Sequence, residues 1–205
     1  MAYTTIDNSE EYFQILAYTG NGSTSSGISR TFSGSVDLKP GLTYHHKYAG
    51  GGNYHNIMEN EYTGPGTLWL TSSGDSVVDG ITATYDTNGF THATQNLGGY
   101  YHNENGKSYG VWAWKESGAS NATNTDGTIT STVSASTTSG FSVVKWTGSG
   151  GNATIGHGLG AVPKMIIIKS LANTTSWMVY TAMTGNNSEI ALNSSAAATS
   201  SSTAW

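Results

Sequence analysis

Histidine is the residue type in this chain best suited to holding a metal ion, and four of its six copies fall in two short stretches. His45 and His46 precede His55, and His102 follows Tyr100 and Tyr101. If loops 44–56 and 98–106 converged, their neutral imidazoles would form a donor set suited to zinc, nickel or iron. No spacing among them matches a metal motif, and adjacent His45 and His46 would point to opposite faces of a strand. The expectation is therefore of polar loop histidines, with no metal and no cofactor.

Catalytic chemistry is represented only weakly. Hydrolysis of a glycan needs two carboxylates, and Glu59 and Glu61, on one face of an extended segment about 7 Å apart, are the pair the spacing offers. Asp75, Asp79 and Asp86 follow, but 13 acidic residues in a turn-rich chain produce such pairs by chance, so solvated charge is the expected reading. Gly148-Ser149-Gly150-Gly151 lacks the following Lys-Ser/Thr and the helix that would cradle a phosphate. No Gly-x-Ser-x-Gly elbow is present, and His157 among glycines reads as a turn residue bonded to backbone. The chain is expected not to be an enzyme.

Binding is the better represented chemistry. Tyr44, Tyr48, Tyr54, Tyr62, Tyr100 and Tyr101 sit among Gly, Asn and His, where an exposed ring stacks on a sugar or anchors a protein contact. Tyr44, His45, Tyr48, Tyr54, His55, Tyr100, Tyr101 and His102 form the candidate surface-binding set; ordinary loop packing is the alternative for each. Trp69, Trp112, Trp114, Trp146 and Trp177 occupy strand-like contexts and read as core.

These residues must be positioned by β-structure. Only 10% of residues are charged, 27 are Gly, and Ser, Thr and Asn fill much of the rest, a mixture that suits short strands joined by many turns. A net charge of −5 with scattered Lys and Arg lacks the basic footprint of a nucleic-acid binder. No apolar stretch is long enough to span a bilayer, and the N-terminus lacks a secretory pattern, so a soluble protein without membrane insertion is expected. There is no Cys, hence no disulfide and no thiolate.

The chain also repeats itself. Phe13-Gln14-Ile15-Leu16-Ala17-Tyr18-Thr19-Gly20-Asn21-Gly22 returns as Phe141-Ser142-Val143-Val144-Lys145-Trp146-Thr147-Gly148-Ser149-Gly150, at a constant offset of 128 residues (146 − 18 and 141 − 13). Tandem modules are implied. Strands are expected at Ala2–Ile6 and Tyr12–Tyr18, with Phe13, Ile15 and Ala17 sharing a face, and at the equivalent Thr130–Val133 and Phe141–Trp146. After Pro163 the run Met165-Ile166-Ile167-Ile168 reads as a central strand buried on both faces, with the more polar Leu42–Lys47 after Pro40 as its counterpart. Further strands are expected at Thr67–Leu70, Ile81–Tyr85, Ser108–Trp114, Ser176–Tyr180 and Glu189–Asn193.

The fold class is all-β, with tandem antiparallel β-sandwich (jelly-roll-like) modules. Residues 1–115 form the first module, 116–127 a Gly/Ser/Asn-rich linker, and 128–205 a second module that is expected to be incomplete. Its missing closing strands would leave sheet edges exposed, so either a longer chain or a partner completes it.

Several stretches carry a family resemblance. Met1-Ala2-Tyr3-Thr4-Thr5-Ile6-Asp7, Tyr18-Thr19-Gly20-Asn21-Gly22, Tyr109-Gly110-Val111-Trp112-Ala113-Trp114-Lys115, Asn124 to Ser134, and Gly156-His157-Gly158-Leu159-Gly160 with Pro163-Lys164-Met165-Ile166-Ile167 and Trp177 resemble repetitive virion proteins of tailed, often marine, bacteriophages. Residues 41–66 depart from that family's pattern, in which a hydrophobic strand with a Trp and a basic turn follow the Pro. The departure marks where a specialised contact would lie. The resemblance implies a virion component, part of a tail fibre or appendage that contacts the host surface by non-catalytic adhesion. Its expected partners are other virion proteins and a host-surface glycan or protein, with a homo-oligomer, a trimer by family analogy. A capsid or tail decoration protein without a receptor site is one alternative, and a glycan-degrading tail enzyme is another.

Overall fold

The computed structural model of the chain describes residues 6–22, 28–49, 55–60, 67–71, 77–78, 83–92, 103–115, 117, 121–173, 175–192 and 194–201. The chain is all-β, and its strands pair antiparallel. After a short 3-10 turn at Ser9–Glu11, capped by the Asn8 side chain accepting from the Glu10 amide, the strands are β1 (Phe13–Thr19), β2 (Ile28–Thr31), β3 (Pro40–Ala49) and β4 (His55–Asn60). They continue with β5 (Thr67–Thr71), β6 (Val77–Val78), β7 (Ala83–Asp86), β8 (Gly89–His92) and β9 (Ser108–Lys115). The second half contributes β10 (Ala122–Asn124), β11 (Ser131–Ser136), β12 (Phe141–Trp146), β13 (Met165–Ile168), β14 (Met178–Thr181), β15 (Ser188–Ala191) and β16 (Thr199–Ser200).

The first half is a sandwich. A six-stranded sheet of order β1-β9-β3-β4-β5-β6 packs on a three-stranded sheet, β2-β8-β7. Alternation along β9 sends Tyr109, Val111 and Ala113 inward, each fully buried, and β3 sends Thr43, His45 and Lys47 the same way. Against them lie Phe32, Leu38 and Phe90, with Leu16, Tyr18 and Tyr85 at the margin. Among the described residues, aromatic and aliphatic side chains from both sheets meet here, and their burial stabilises the sandwich.

The face of β1 is the reverse of the apolar pattern. Gln14, Leu16 and Tyr18 face the interior, while Ile15 and Ala17 are exposed. The buried amide of Gln14 is possible because its hydrogen-bonding groups are matched. Its Nε2 donates to Val36 O at 2.7 Å and Glu10 O at 3.0 Å, and its Oε1 accepts from Gly34 N at 3.2 Å.

The second half comprises two further sheets, β10-β11-β12 and β13-β14-β15-β16. β10 falls within residues 116–127, the stretch read as linker, and pairs with β11 from Ala122↔Val133 to Asn124↔Ser131. The expectation of a central, doubly buried strand at Met165–Ile168 is corrected: β13 ends its sheet, with Met165 55% and Ile166 36% exposed. Its apolar run signals burial, but no described strand lies on its outer side. The halves meet at Trp177, 2% exposed, which clusters with Leu42 of β3 and is flanked by Tyr44, Trp114, Phe141 and Ile167. Trp114 and Phe141 stack across this junction with centroids 5.9 Å apart.

Candidate binding face

Sending Tyr109, Val111 and Ala113 inward obliges Gly110, Trp112 and Trp114 to face the other side of the six-stranded sheet. β3 does the same with Leu42, Tyr44 and His46. Register aligns Ile15, Trp112 and Tyr44 across three strands, and Ala17, Gly110 and His46 in the next row. One end of this face, around Leu42 and Trp114, is closed by Trp177. Beyond Tyr44, which packs against that closure, the face carries Trp112, Tyr48 and Ile15.

The geometry there is an aromatic platform. Tyr44 and Trp112 rings lie 5.5 Å apart at 48°. A Cβ on Gly110 would meet the Trp112 ring at 3.6 Å and the Tyr48 ring at 3.9 Å, so both rings lean over the bare glycine. A register shift between Lys47 and Ala49 places Tyr48 at a bulge, where a strand re-aims its side chain. Tyr48 is 53% and Ile15 59% exposed. Burial pushes the Tyr44 phenol further above its ordinary value. The surface is apolar with phenol and imidazole edges, which suits stacking on the flat face of a sugar or packing against a protein.

The opposite face is the sandwich core, and the polar side chains that β3 sends into it are sealed. His45 Nε2 and Thr43 Oγ1 share a hydrogen bond at 2.9 Å, and Thr43 Oγ1 shares another with the Tyr85 hydroxyl at 3.0 Å. The His45 ring stands edge-on to Phe90 at 5.0 Å and lies 5.2 Å from His92, which is itself fully buried. His45 is therefore corrected from a surface contact to a core residue, 1% exposed, because its odd position on β3 points into the sandwich. Among the described residues, no three His, Asp or Glu side chains come together as a metal site.

A third cluster secures the end of the sheet. Asn103, fully buried, accepts from the Asn21 amide at 3.0 Å through Oδ1, donates to Asn21 Oδ1 at 2.6 Å, and accepts the Gly22 amide at 2.8 Å on its carbonyl. Arg30 lies 4.4 Å over the Tyr18 ring, which stacks on Tyr109 at 5.1 Å, and its guanidinium reaches Asn103 Oδ1 at 3.3 Å. The repeated Thr-Gly-x-Gly motif is thus a structural clasp in its first copy, Thr19-Gly20-Asn21-Gly22, built on the turn before β9.

Of the sequence-derived set, Tyr44 and Tyr48 lie on the platform and His45 lies in the core. His55 begins β4, in register with Thr71 of β5. Tyr54, Tyr62, Tyr100, Tyr101 and His102 lie outside the described residues. Glu59 is in β4 opposite Thr43, while Glu61, Asp75 and Asp79 lie outside the described residues. Asp86 Oδ2 accepts from Thr91 Oγ1 at 2.8 Å. His157 Nδ1 accepts from the Leu159 amide at 3.2 Å, consistent with a turn residue.

Sequence reasoning placed Trp112 in the core and passed over Ile15. The signal for both was parity: Val111 and Ala113 cannot share a face with Trp112, and Leu16 and Tyr18 cannot share one with Ile15. A family model described as Domain of unknown function (DUF7483) matches residues 8–205. No curated protein and no solved structure matches the chain.

Proposed function

The chain belongs to the family of that domain of unknown function, DUF7483, and because the description assigns no activity, we propose a function from the exposed face and the sequence motifs together. The protein is a non-catalytic virion component, part of a bacteriophage tail fibre or appendage, that contacts a host-surface glycan through Tyr44, Tyr48 and Trp112. The observation that carries this reading is the aromatic platform in which the partly buried Tyr44 and Trp112 rings lie 5.5 Å apart beside an exposed Tyr48. The resemblance of the repeated motifs to phage virion proteins supports the setting, the oligomer and the location on the particle. Weak sites of this kind gain strength when repeated across an oligomer.

The test is binding of the protein to host cells and to isolated envelope polysaccharide, compared with Trp112→Ala and Tyr44→Ala. The platform reading requires a fall of at least about fivefold in apparent affinity for W112A, the lower end of the roughly 1–3 kcal/mol that ring stacking contributes at an aromatic contact. Full retention of binding by both variants overturns it. Shortening of the polysaccharide on incubation would overturn its non-catalytic part.

A second reading, a decoration or adaptor protein that joins virion components, is favoured by the outer edges of β12 and β13, which pair with no described strand. Binding to phage particles but not to cells or glycans would select it.

A further inference from the structure

The chain has one arginine, Arg30. Alternation along β2 puts it on the same side as the buried Ile28, and its side chain reaches the end of the sandwich secured by Asn103. The guanidinium lies 4.4 Å over the Tyr18 ring, which stacks in turn on the fully buried Tyr109. One terminal nitrogen donates to Ser29 O at 2.9 Å and the other to Asn103 Oδ1 at 3.3 Å. A planar fork laid over a ring and tethered at both tips is in place before any ligand arrives.

All of these contacts are neutral. Among the described residues Arg30 makes no ion pair, and its Nε is buried without a hydrogen-bond acceptor. The carboxylate beside Asn103, that of Glu104, is taken by Lys47 at 2.8 Å, and its other oxygen lies 3.9 Å from Lys107. Residues 12–36 and 87–103, the stretches of sequence that contain β2 and β8, have no Asp or Glu. In a chain of net charge −5, this end of the sandwich thus carries a fixed cation with donors to spare, the electrostatic complement of an anion. Each terminal nitrogen keeps one N–H beyond its bond to Ser29 or Asn103, and two N–H groups are what a carboxylate takes in a bidentate pair.

We propose that Arg30 holds the carboxylate of an acidic sugar, as a second contact for the host-surface glycan. This rests on the glycan reading above and names the charge class of that glycan, a polymer containing a carboxylated sugar. The exposed residues of the clasp, Asn21 and Asn105, are uncharged amides, which suit sugar hydroxyls better than the apolar side chains of a peptide. Tyr18, Tyr109 and Lys47 align across β1, β9 and β3, and Tyr48 is the next residue of β3, so clasp and platform share this end of the sheet.

The intact chain is titrated with the methyl glycosides of glucuronic, galacturonic and N-acetylneuraminic acid, and with the neutral methyl ester of each, while the arginine Nε–H resonance is followed by NMR. With one arginine in the chain, that resonance reports on Arg30 alone. The expected result is a saturable shift with at least one acid and none with its ester. Arg30→Lys keeps the charge but not the fork, and is expected to bind that acid roughly tenfold more weakly, with its urea midpoint measured alongside. A resonance unmoved by all three acids, or moved equally by the esters, overturns the proposal. So does an equal shift with a tri-glutamate peptide, which would mark an acidic polypeptide as the ligand. Isolated envelope polysaccharide separates this proposal from the platform reading: loss of binding in Trp112→Ala but not in Arg30→Lys overturns the acidic-sugar contact alone, and the reverse overturns the platform alone.

Discussion

The ammonium of Lys47 lies 2.8 Å from Glu104 Oε2, although the Lys47 side chain is only 3% exposed. An inward lysine on β3 would be costly alone, and the turn before β9 supplies its counter-charge. The same turn bonds Gly20 and Gly22, so one short segment ties β3, β1 and β9 together.

This pair sets an acid dependence. The hydrogen bond from Lys47, with the charges of Lys47 and Lys107, holds the Glu104 carboxyl below its ordinary value of 4.5 against the opposing effect of burial. A folded-state value below the unfolded one means the stabilisation is complete above 4.5 and is lost as pH falls through that value towards the depressed one. Glu104→Gln should cost roughly 1–3 kcal/mol at neutral pH and flatten the acid limb of urea midpoints against pH. Some slope should persist, because hydrogen bonds from the Ser35 side chain and amide lower Glu10 in the same direction.

The two copies of the glycine motif should respond differently to one substitution. A Cβ on Gly20 would sit 2.3 Å from Glu104 O, a backbone atom held by the clasp, whereas one on Gly148 meets nothing within 4 Å. Gly20→Ala is expected to destabilise by about 2 kcal/mol or more, and Gly148→Ala to be near neutral. Paired denaturant curves check this.

Trp177→Ala should loosen the junction between the halves. The ring is 2% exposed and clusters with Leu42, beside Trp114, Phe141 and Ile167. A loss of about 3–5 kcal/mol is expected for a buried Trp, with earlier proteolytic release of the second half. Limited proteolysis followed by mass spectrometry reads this out.

Trp112→Ala provides the contrast. Trp112 is half-buried on the open face, so its removal should cost about 1–2 kcal/mol, well below Trp177→Ala. A thermal unfolding comparison of the two variants separates a fold defect from a binding defect.

Strand content was legible where alternation or a run of β-formers spanned a segment, as in Phe13–Thr19, Ser108–Lys115 and Phe141–Trp146. Turns were legible from glycine, as at Gly158 with φ 71° and Gly22 with φ 72°. The site was legible only in part. Tyr44 and Tyr48 were singled out by neighbouring Gly, Asn and His, but the same reasoning included His45, since adjacency in sequence does not say which parity faces the core.

By itself the sequence determined that this chain is all-β and that it repeats one strand-and-turn unit. Those are local properties, written in side-chain type and period. Tertiary structure alone decided which parity of β1, β3 and β9 is buried, because the covering β2-β8-β7 sheet comes from distant segments. It also decided that, among the described residues, the apolar Met165–Ile168 forms an edge: hydrophobic character records what a strand gains by burial, while burial itself needs a neighbour to supply it.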